Sequence, residues 1–231
     1  DCNAVLVWAH GLGDTHKGWS ATMRVLQARH PHICVVLPTA PVIPVTFGEG
    51  RKLNAWYDFD GTEIKNASKE GDAGRMASAA KYLQEVALRR AKEIGNENFR
   101  RVVIGGFSQG AVVSLHAGLM TPKSRCAGVV AVGGYMGAPN AFAAKAIRGA
   151  RKGRFHPKTP VLLMHGEDDD RVPPGRSVDA KTKLQQAGAS AVDVALFKKM
   201  GHGMNEEMLT RLSDFLTKVL PAEGFDDDAD L

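Results

Sequence analysis

Six short runs rich in Val, Ile, Leu and Ala punctuate the 231-residue chain, at residues 4–9, 33–37, 101–107, 127–132, 161–165 and 192–197. Each is apolar almost without interruption, the pattern of a strand covered on both faces. Between them lie segments of helical period at 18–28, 72–94, 109–120, 177–187 and 205–219. In the second of these, Met76, Ala80, Leu83, Ala87, Ala91 and Ile94 recur at helical spacing, a stripe that faces a core. Strands and helices in alternation predict an α/β protein with a mostly parallel sheet and helices on both faces. Two stretches break the rhythm. Residues 38–60 hold Pro38, Pro41 and Pro44 and read as a long loop with room for a short hairpin. Residues 133–160 are rich in Gly, Ala and basic side chains, with weak periodicity, and read as a second irregular excursion. No repeat or linker divides residues 1–221, which read as one domain, and the acidic tail 222–231 is expected to be disordered.

Bulk properties narrow the function classes. The chain is 44% hydrophobic and 24% charged, ordinary for a soluble globular protein. No apolar run approaches the roughly 20 residues that span a bilayer, and the run at 5–9 is too short for a signal peptide. Cys2, Cys34 and Cys126 are scattered, with no two at metal-ligand spacing. They predict no metal site, no disulfide scaffold and a reducing, cytoplasmic setting, although a single pair would be compatible with them. The net charge is +5, and basic clusters stand at 89–90, 100–101 and 151–154. Solvated helix ends account for them, as would attraction to an anionic membrane surface. Nucleic acid is disfavoured, because the clusters lack interleaved aromatics and match no binding motif. The oligomeric state stays open between a monomer and a weak dimer.

The chemistry concentrates at Gly106-Phe107-Ser108-Gln109-Gly110, preceded by a strand and followed by an apolar helical run. This is G-x-S-x-G in the setting it requires, where glycines permit a tight turn that lifts a serine hydroxyl clear of a sheet. In α/β hydrolases the acid and the base follow the serine in that order, each on a loop after a later strand. The run 161–165 is followed by Glu167, Asp168, Asp169 and Asp170, and the run 192–197 by Gly201-His202-Gly203. Position alone leaves the acid open among those four. His116, on the helix after Ser108, is expected to be packed or exposed rather than catalytic. A second glycine-rich turn, His10-Gly11-Leu12-Gly13-Asp14-Thr15, follows the first strand. It lacks the third glycine of a dinucleotide site and the Gly-Lys-Ser/Thr of a phosphate loop. In α/β hydrolases such a turn supplies the second backbone N–H of the oxyanion hole, and a plain strand-to-helix turn is the alternative.

Taken together, His10–Thr15, Trp56-Tyr57-Asp58, Gly105–Gly110, His165-Gly-x-x-Asp169-x-x-Val-Pro173 and Gly201-His202 resemble the acyl-protein thioesterase/lysophospholipase (phospholipase/carboxylesterase) family. The resemblance runs from about Ala4 to Pro221. It implies the α/β-hydrolase fold without a large separate cap domain. It also implies Ser108 as nucleophile, His202 as base, Asp169 as orienting acid, and the backbone N–H groups of Leu12 and Gln109 as oxyanion hole. No cofactor or metal is implied, and the substrates would be S-acylated proteins or acyl esters. Candidate walls for an apolar acyl chain are Trp56, Tyr135 and Met136. Ala111, Gly203 and Asp170 depart from the family pattern. Asp170 brings a like charge beside Asp169 that would oppose its ionisation if both were poorly solvated. Rival functions are a general carboxylesterase or lysophospholipase, an inactive hydrolase-fold binding protein, and a metal-dependent hydrolase using His165 with Asp168–Asp170.

Overall fold

A computed structural model describes residues 2–122 and 124–222. Six strands, β1 (Ala4–Ala9), β2 (Ile33–Val36), β5 (Val102–Phe107), β6 (Gly128–Val132), β7 (Val161–Gly166) and β8 (Val192–Phe197), form one sheet. Their order is β2-β1-β5-β6-β7-β8 and every pairing is parallel. The remaining two strands, β3 (Val42–Val45) and β4 (Arg51–Asn54), make a separate antiparallel hairpin inside the proline-rich loop.

Successive side chains of a strand face opposite ways, and both faces here are covered. Val5, Val7, Val102 and Ile104 meet α3 (Ala73–Glu93) through Met76, Ala80, Leu83 and Ala87. Val129, Ala131, Val161 and Leu163 meet α4 (Gln109–Leu119), α5 (Pro139–Ala150) and α6 (Gly175–Gln186). On the opposite face Leu6, Trp8, Val103, Val130 and Leu162 meet α1 (His16–Arg29) and α7 (Glu206–Val219). A single helical turn, α2 (Thr62–Lys65), precedes α3. Among the described residues no helix is long and apolar enough to cross a membrane.

Three expectations change. The strand at 192–197 lies at the sheet edge, and only its ends are buried, so each of its faces is covered only in part. Residues 133–160 contain α5, which lacks a side-chain cap of its own at Ala138. Its first free N–H groups are capped by Glu70, whose carboxylate accepts from Asn140 and Ala141 at 2.9 and 3.0 Å. Cys2 and Cys34 are joined in a disulfide, with Cα atoms 5.5 Å apart, and Cys126 is buried and free. The cysteine argument for a reducing compartment thereby loses its premise, since such bonds persist in oxidising settings. The disorder expected of the tail falls almost wholly on residues 223–231, outside the described residues.

The chain leaves β1 toward β2 at one edge, then returns to β5 and proceeds the other way to β8. The direction of winding therefore reverses between β1 and β5. A crevice opens at such a reversal, outside the carboxyl ends of the strands, where open α/β sheets bind ligands.

Candidate active site

Both strands at the reversal end in the motifs singled out above. β5 ends at Phe107 and α4 begins at Gln109, so Ser108 alone turns the chain. Its φ of 54° and ψ of −117° lie where a non-glycine residue is strained. The strain is held by close approach. A Cβ on Gly106 would stand 2.6 Å from the Ala9 carbonyl oxygen, and one on Gly110 only 2.1 Å from it. The Ser108 N–H donates to the Val132 carbonyl at 2.8 Å. The serine hydroxyl is thus presented at the N-terminus of α4, where free N–H groups and the helix dipole favour negative charge.

The turn after β1 lies against this elbow, because a Cβ on Gly11 would meet Ser108 Cβ at 3.4 Å. His10 organises the turn. Its Nε2 accepts from the Ala40 N–H at 2.9 Å, so Nδ1 carries the proton and donates to the Gly11 carbonyl at 2.7 Å. Burial lowers the pKa of His10, which keeps the ring in that neutral form. A trans peptide points its N–H opposite its C=O, so holding the Gly11 carbonyl also fixes the direction of the Leu12 N–H. Gln109 ties the elbow to the loop beyond. Its side chain accepts from the Trp56 N–H at 2.8 Å and donates to the Tyr57 carbonyl at 2.9 Å, while the Trp56 indole donates to the His10 carbonyl at 2.8 Å.

The loops that carry Asp169 and His202 leave β7 and β8, which are neighbours. A Cβ on Gly166 would stand 2.1 Å from the Met200 carbonyl oxygen, so only glycine lets the loops come together. His202 Nε2 lies 3.0 Å from Ser108 Oγ, and His202 Nδ1 lies 2.7 Å from Asp169 Oδ2. The imidazole packs on Phe107 with ring centroids 4.7 Å apart. Gly133, with a φ of +58°, leaves room for both rings, since a Cβ there would lie 3.2 Å from Phe107 and 3.4 Å from His202.

Of the four acids in the loop, Asp169 is buried while Glu167, Asp168 and Asp170 are exposed. Burial pushes the Asp169 carboxyl up, but hydrogen bonds from His165, His202 and the Val172 N–H together outweigh it and hold the group well below the usual carboxylate range. Asp170, exposed to solvent, does not prevent that ionisation. His165, considered with Asp168–Asp170 as a metal set, has both ring nitrogens engaged by protein groups, Nδ1 with Ser177 and Nε2 with Val172 and Asp169.

The structure therefore brings Ser108, His202, Asp169, Gln109 and the Leu12 turn to one place. Trp56 joins them through its backbone and indole nitrogen. Trp56, Tyr135 and Met136 are each 3% exposed, their side chains packed in the core rather than free. His116 is buried, donates through Nε2 to the Gly137 carbonyl at 2.8 Å and, chiefly through burial, has its pKa pushed down to about 4. It is a packed histidine, set edge-on against Phe142 with ring centroids 5.1 Å apart. Sequence reasoning missed the side-chain role of Gln109, the role of His10, and the contacts of His165 and Ser177. The position of Gln109 directly after the serine was the only available hint.

Residues 1–220 match the phospholipase/carboxylesterase family. The chain is 34% identical to acyl-protein thioesterase 1 of Neurospora crassa, over 94% of this chain and 87% of that one. It is 31% identical to acyl-protein thioesterase 1 of Saccharomyces cerevisiae, over 93% and 92%. Among solved structures it is similar to Zea mays acyl-protein thioesterase 2 (TM-score 0.79, 24% identity, 95% of this chain and 94% of that one). It is also similar to Arabidopsis thaliana SOBER1 (TM-score 0.80, 23% identity, 94% and 99%). The fold is that of an α/β hydrolase, with no separate cap among the described residues.

Proposed function

This chain belongs to the phospholipase/carboxylesterase family and is a hydrolase, and from that premise we propose that it cleaves acyl thioesters on protein cysteines, palmitoyl groups foremost. The reacting groups are Ser108, His202 and Asp169. The observation that carries this reading is the unbroken chain from Ser108 Oγ to His202 (3.0 Å) to Asp169 (2.7 Å) at the winding reversal.

Ser108 Oγ attacks the acyl carbonyl as its proton passes to His202 Nε2, and Asp169 holds Nδ1–H and stabilises the imidazolium. Negative charge on the tetrahedral oxygen is met by the N–H groups of Leu12 and Gln109, with the α4 terminus behind them. Collapse expels the cysteine sulfur, which takes up the proton from His202 Nε2 as the thiol, leaving Ser108 acylated and the imidazole neutral. Water, deprotonated by His202, then attacks the acyl-enzyme and returns the serine. A thiolate leaves without strong acid assistance, so a thioester demands less acid catalysis by His202 than an ester or amide would. Burial of each methylene of the acyl chain contributes about 0.8 kcal/mol, so specificity should change with chain length. Substrates would be S-acylated proteins. Peripheral contact with anionic membranes, if made, would rest on Arg151, Lys152 and Arg154, all exposed.

The test is turnover of an S-palmitoyl cysteine peptide and its matched oxyester by the wild type and by Ser108→Ala. Release favouring the thioester and lost in the variant supports the proposal. Equal or faster oxyester cleavage points instead to a general carboxylesterase. No Ser108-dependent turnover of either substrate would favour an inactive binding protein.

A further inference from the structure

We propose that His165 and Ser177 extend the triad into one hydrogen-bonded relay, Ser177–His165–Asp169–His202–Ser108, in which His165 is a positioning residue for the acid. The inference rests on the functional reading above and adds to it a residue that touches neither substrate nor serine.

A carboxylate has about four lone-pair sites, and in Asp169 four donors occupy them. The N–H groups of Arg171 and Val172 meet Oδ1 at 3.0 and 2.8 Å. His202 Nδ1 and His165 Nε2 meet Oδ2 at 2.7 and 3.1 Å. His165 Nε2 also faces the Val172 carbonyl at 2.7 Å. Both groups facing this nitrogen only accept, so it carries a proton, which is directed chiefly at the Val172 carbonyl and leaves Asp169 Oδ2 as the second, longer contact. Ser177 Oγ, on the third residue of α6, holds Nδ1 at 2.6 Å and fixes the rotation of the ring. His165 is 0% and Ser177 1% exposed, so no solvent competes for these bonds.

His165 acts on the same carboxylate oxygen that faces His202. Its N–H pins the carboxylate against rotation and withdraws charge from Oδ2. Without it, Oδ2 becomes the stronger acceptor for Nδ1–H and the imidazolium form of His202 is favoured, while the geometry of the pair loosens. The titratable and charged groups around the pair are His165 itself, from β7, the exposed Asp168, Asp170 and Arg171 beside Asp169, and the exposed Lys198 and Lys199 on the loop that carries His202. Phe107 and Gly133, which pack on the imidazole, bring no charge.

The experiment compares His165→Met, which lacks the donor, with His165→Gln, whose amide N–H can reach the place of Nε2, and with Ser177→Ala. The titration of His202 is followed by NMR and by the acid limb of kcat/KM, on protein counted by active-site titration. His165→Met should raise the His202 midpoint by about 0.5 pH unit or more. It should lower kcat by about tenfold, with KM within about threefold. His165→Gln should recover most of both, and Ser177→Ala should show a smaller change in the same direction. A loss of folding alone would lower the amplitude without moving the midpoint. Should His165→Met fail to fold, Ser177→Ala, which removes one buried oxygen, carries the test. An unmoved midpoint in a folded variant, or a Gln variant no better than Met, overturns the relay. The NMR titration needs no turnover, so an inactive wild type would break the functional reading while the relay is still decided.

Discussion

Asp169, in the loop after β7, and Glu63, on the single turn α2, are buried carboxyl groups, 6% and 2% exposed, in contrasting surroundings. Four donors saturate Asp169 and hold it ionised. Oε2 of Glu63 is buried without a partner among the described residues. Arg176 donates through Nη2 to the Glu63 backbone carbonyl at 2.8 Å rather than to its carboxylate. Burial, with Asp60 adding a neighbouring carboxyl, pushes the Glu63 pKa up to about 7. Burial penalises the charge in both cases; the supply of donors decides whether the charge survives. The loop built with donors is the one that meets His202.

The largest effect that would test this contrast is on activity. Asp169→Asn keeps the shape but holds His202 in the wrong tautomer. It should lower kcat by about 10³–10⁴, in a thioesterase assay where Glu63→Gln stays within about twofold of wild type. Comparable losses from the two would erase the distinction. Next in size is Gly166→Ala, whose Cβ would stand 2.1 Å from the Met200 carbonyl oxygen and so push the His202 loop outward. Displacement on the order of 1 Å costs about 10² in kcat, and the overpacking costs about 1–3 kcal/mol of stability. Gly153→Ala, with φ +61° but nothing within 4 Å, is the control. It should cost about 1 kcal/mol and leave kcat alone, and a matching loss of kcat there would show that a general loss of stability rather than the collision matters.

The smallest effects are in the pH dependence of stability, where the two acids should act with opposite sign. Asp169 is depressed below its ordinary 3.8, so its contribution is present above about pH 4 and is lost as pH falls through the folded value. Asp169→Asn should therefore flatten the acid side of the stability profile. Glu63 is raised from 4.5 to about 7, so its contribution is complete below pH 4.5 and is lost as pH rises to about 7. Denaturant titrations at pH 5 and pH 8 should show wild type losing about 1–2 kcal/mol between them on this account. Glu63→Gln should lose less. A Glu63→Gln profile parallel to wild type would mean that Glu63 is ionised at pH 5 despite its burial.

Much of this was legible in the chain. The parallel sheet followed from runs such as 102–107 and 161–165, apolar on both alternations because both faces are covered. The edge strand β8 misled because its apolar residues are spent on a strand half open to water. Helix α5 was hidden because its cap comes from Glu70, seventy residues earlier. The hairpin β3–β4 was foreseen only as a possibility, since Pro44 sits within it and removes a donor. The disulfide was not legible, as Cys2 and Cys34 are 32 residues apart and carry no spacing signal.

By itself, then, the sequence determined the elements, their order and the three loops that hold Ser108, the acid and His202. These depend on local periodicity and on glycines whose spacing records a tight turn. Only the tertiary structure decided which of Glu167–Asp170 is buried, which imidazole nitrogen faces which partner, and that His10, Gln109, His165 and Ser177 support the site. Those facts arise from donors and acceptors brought together across the sheet, and a polar side chain looks the same in sequence whether it meets water or a buried partner.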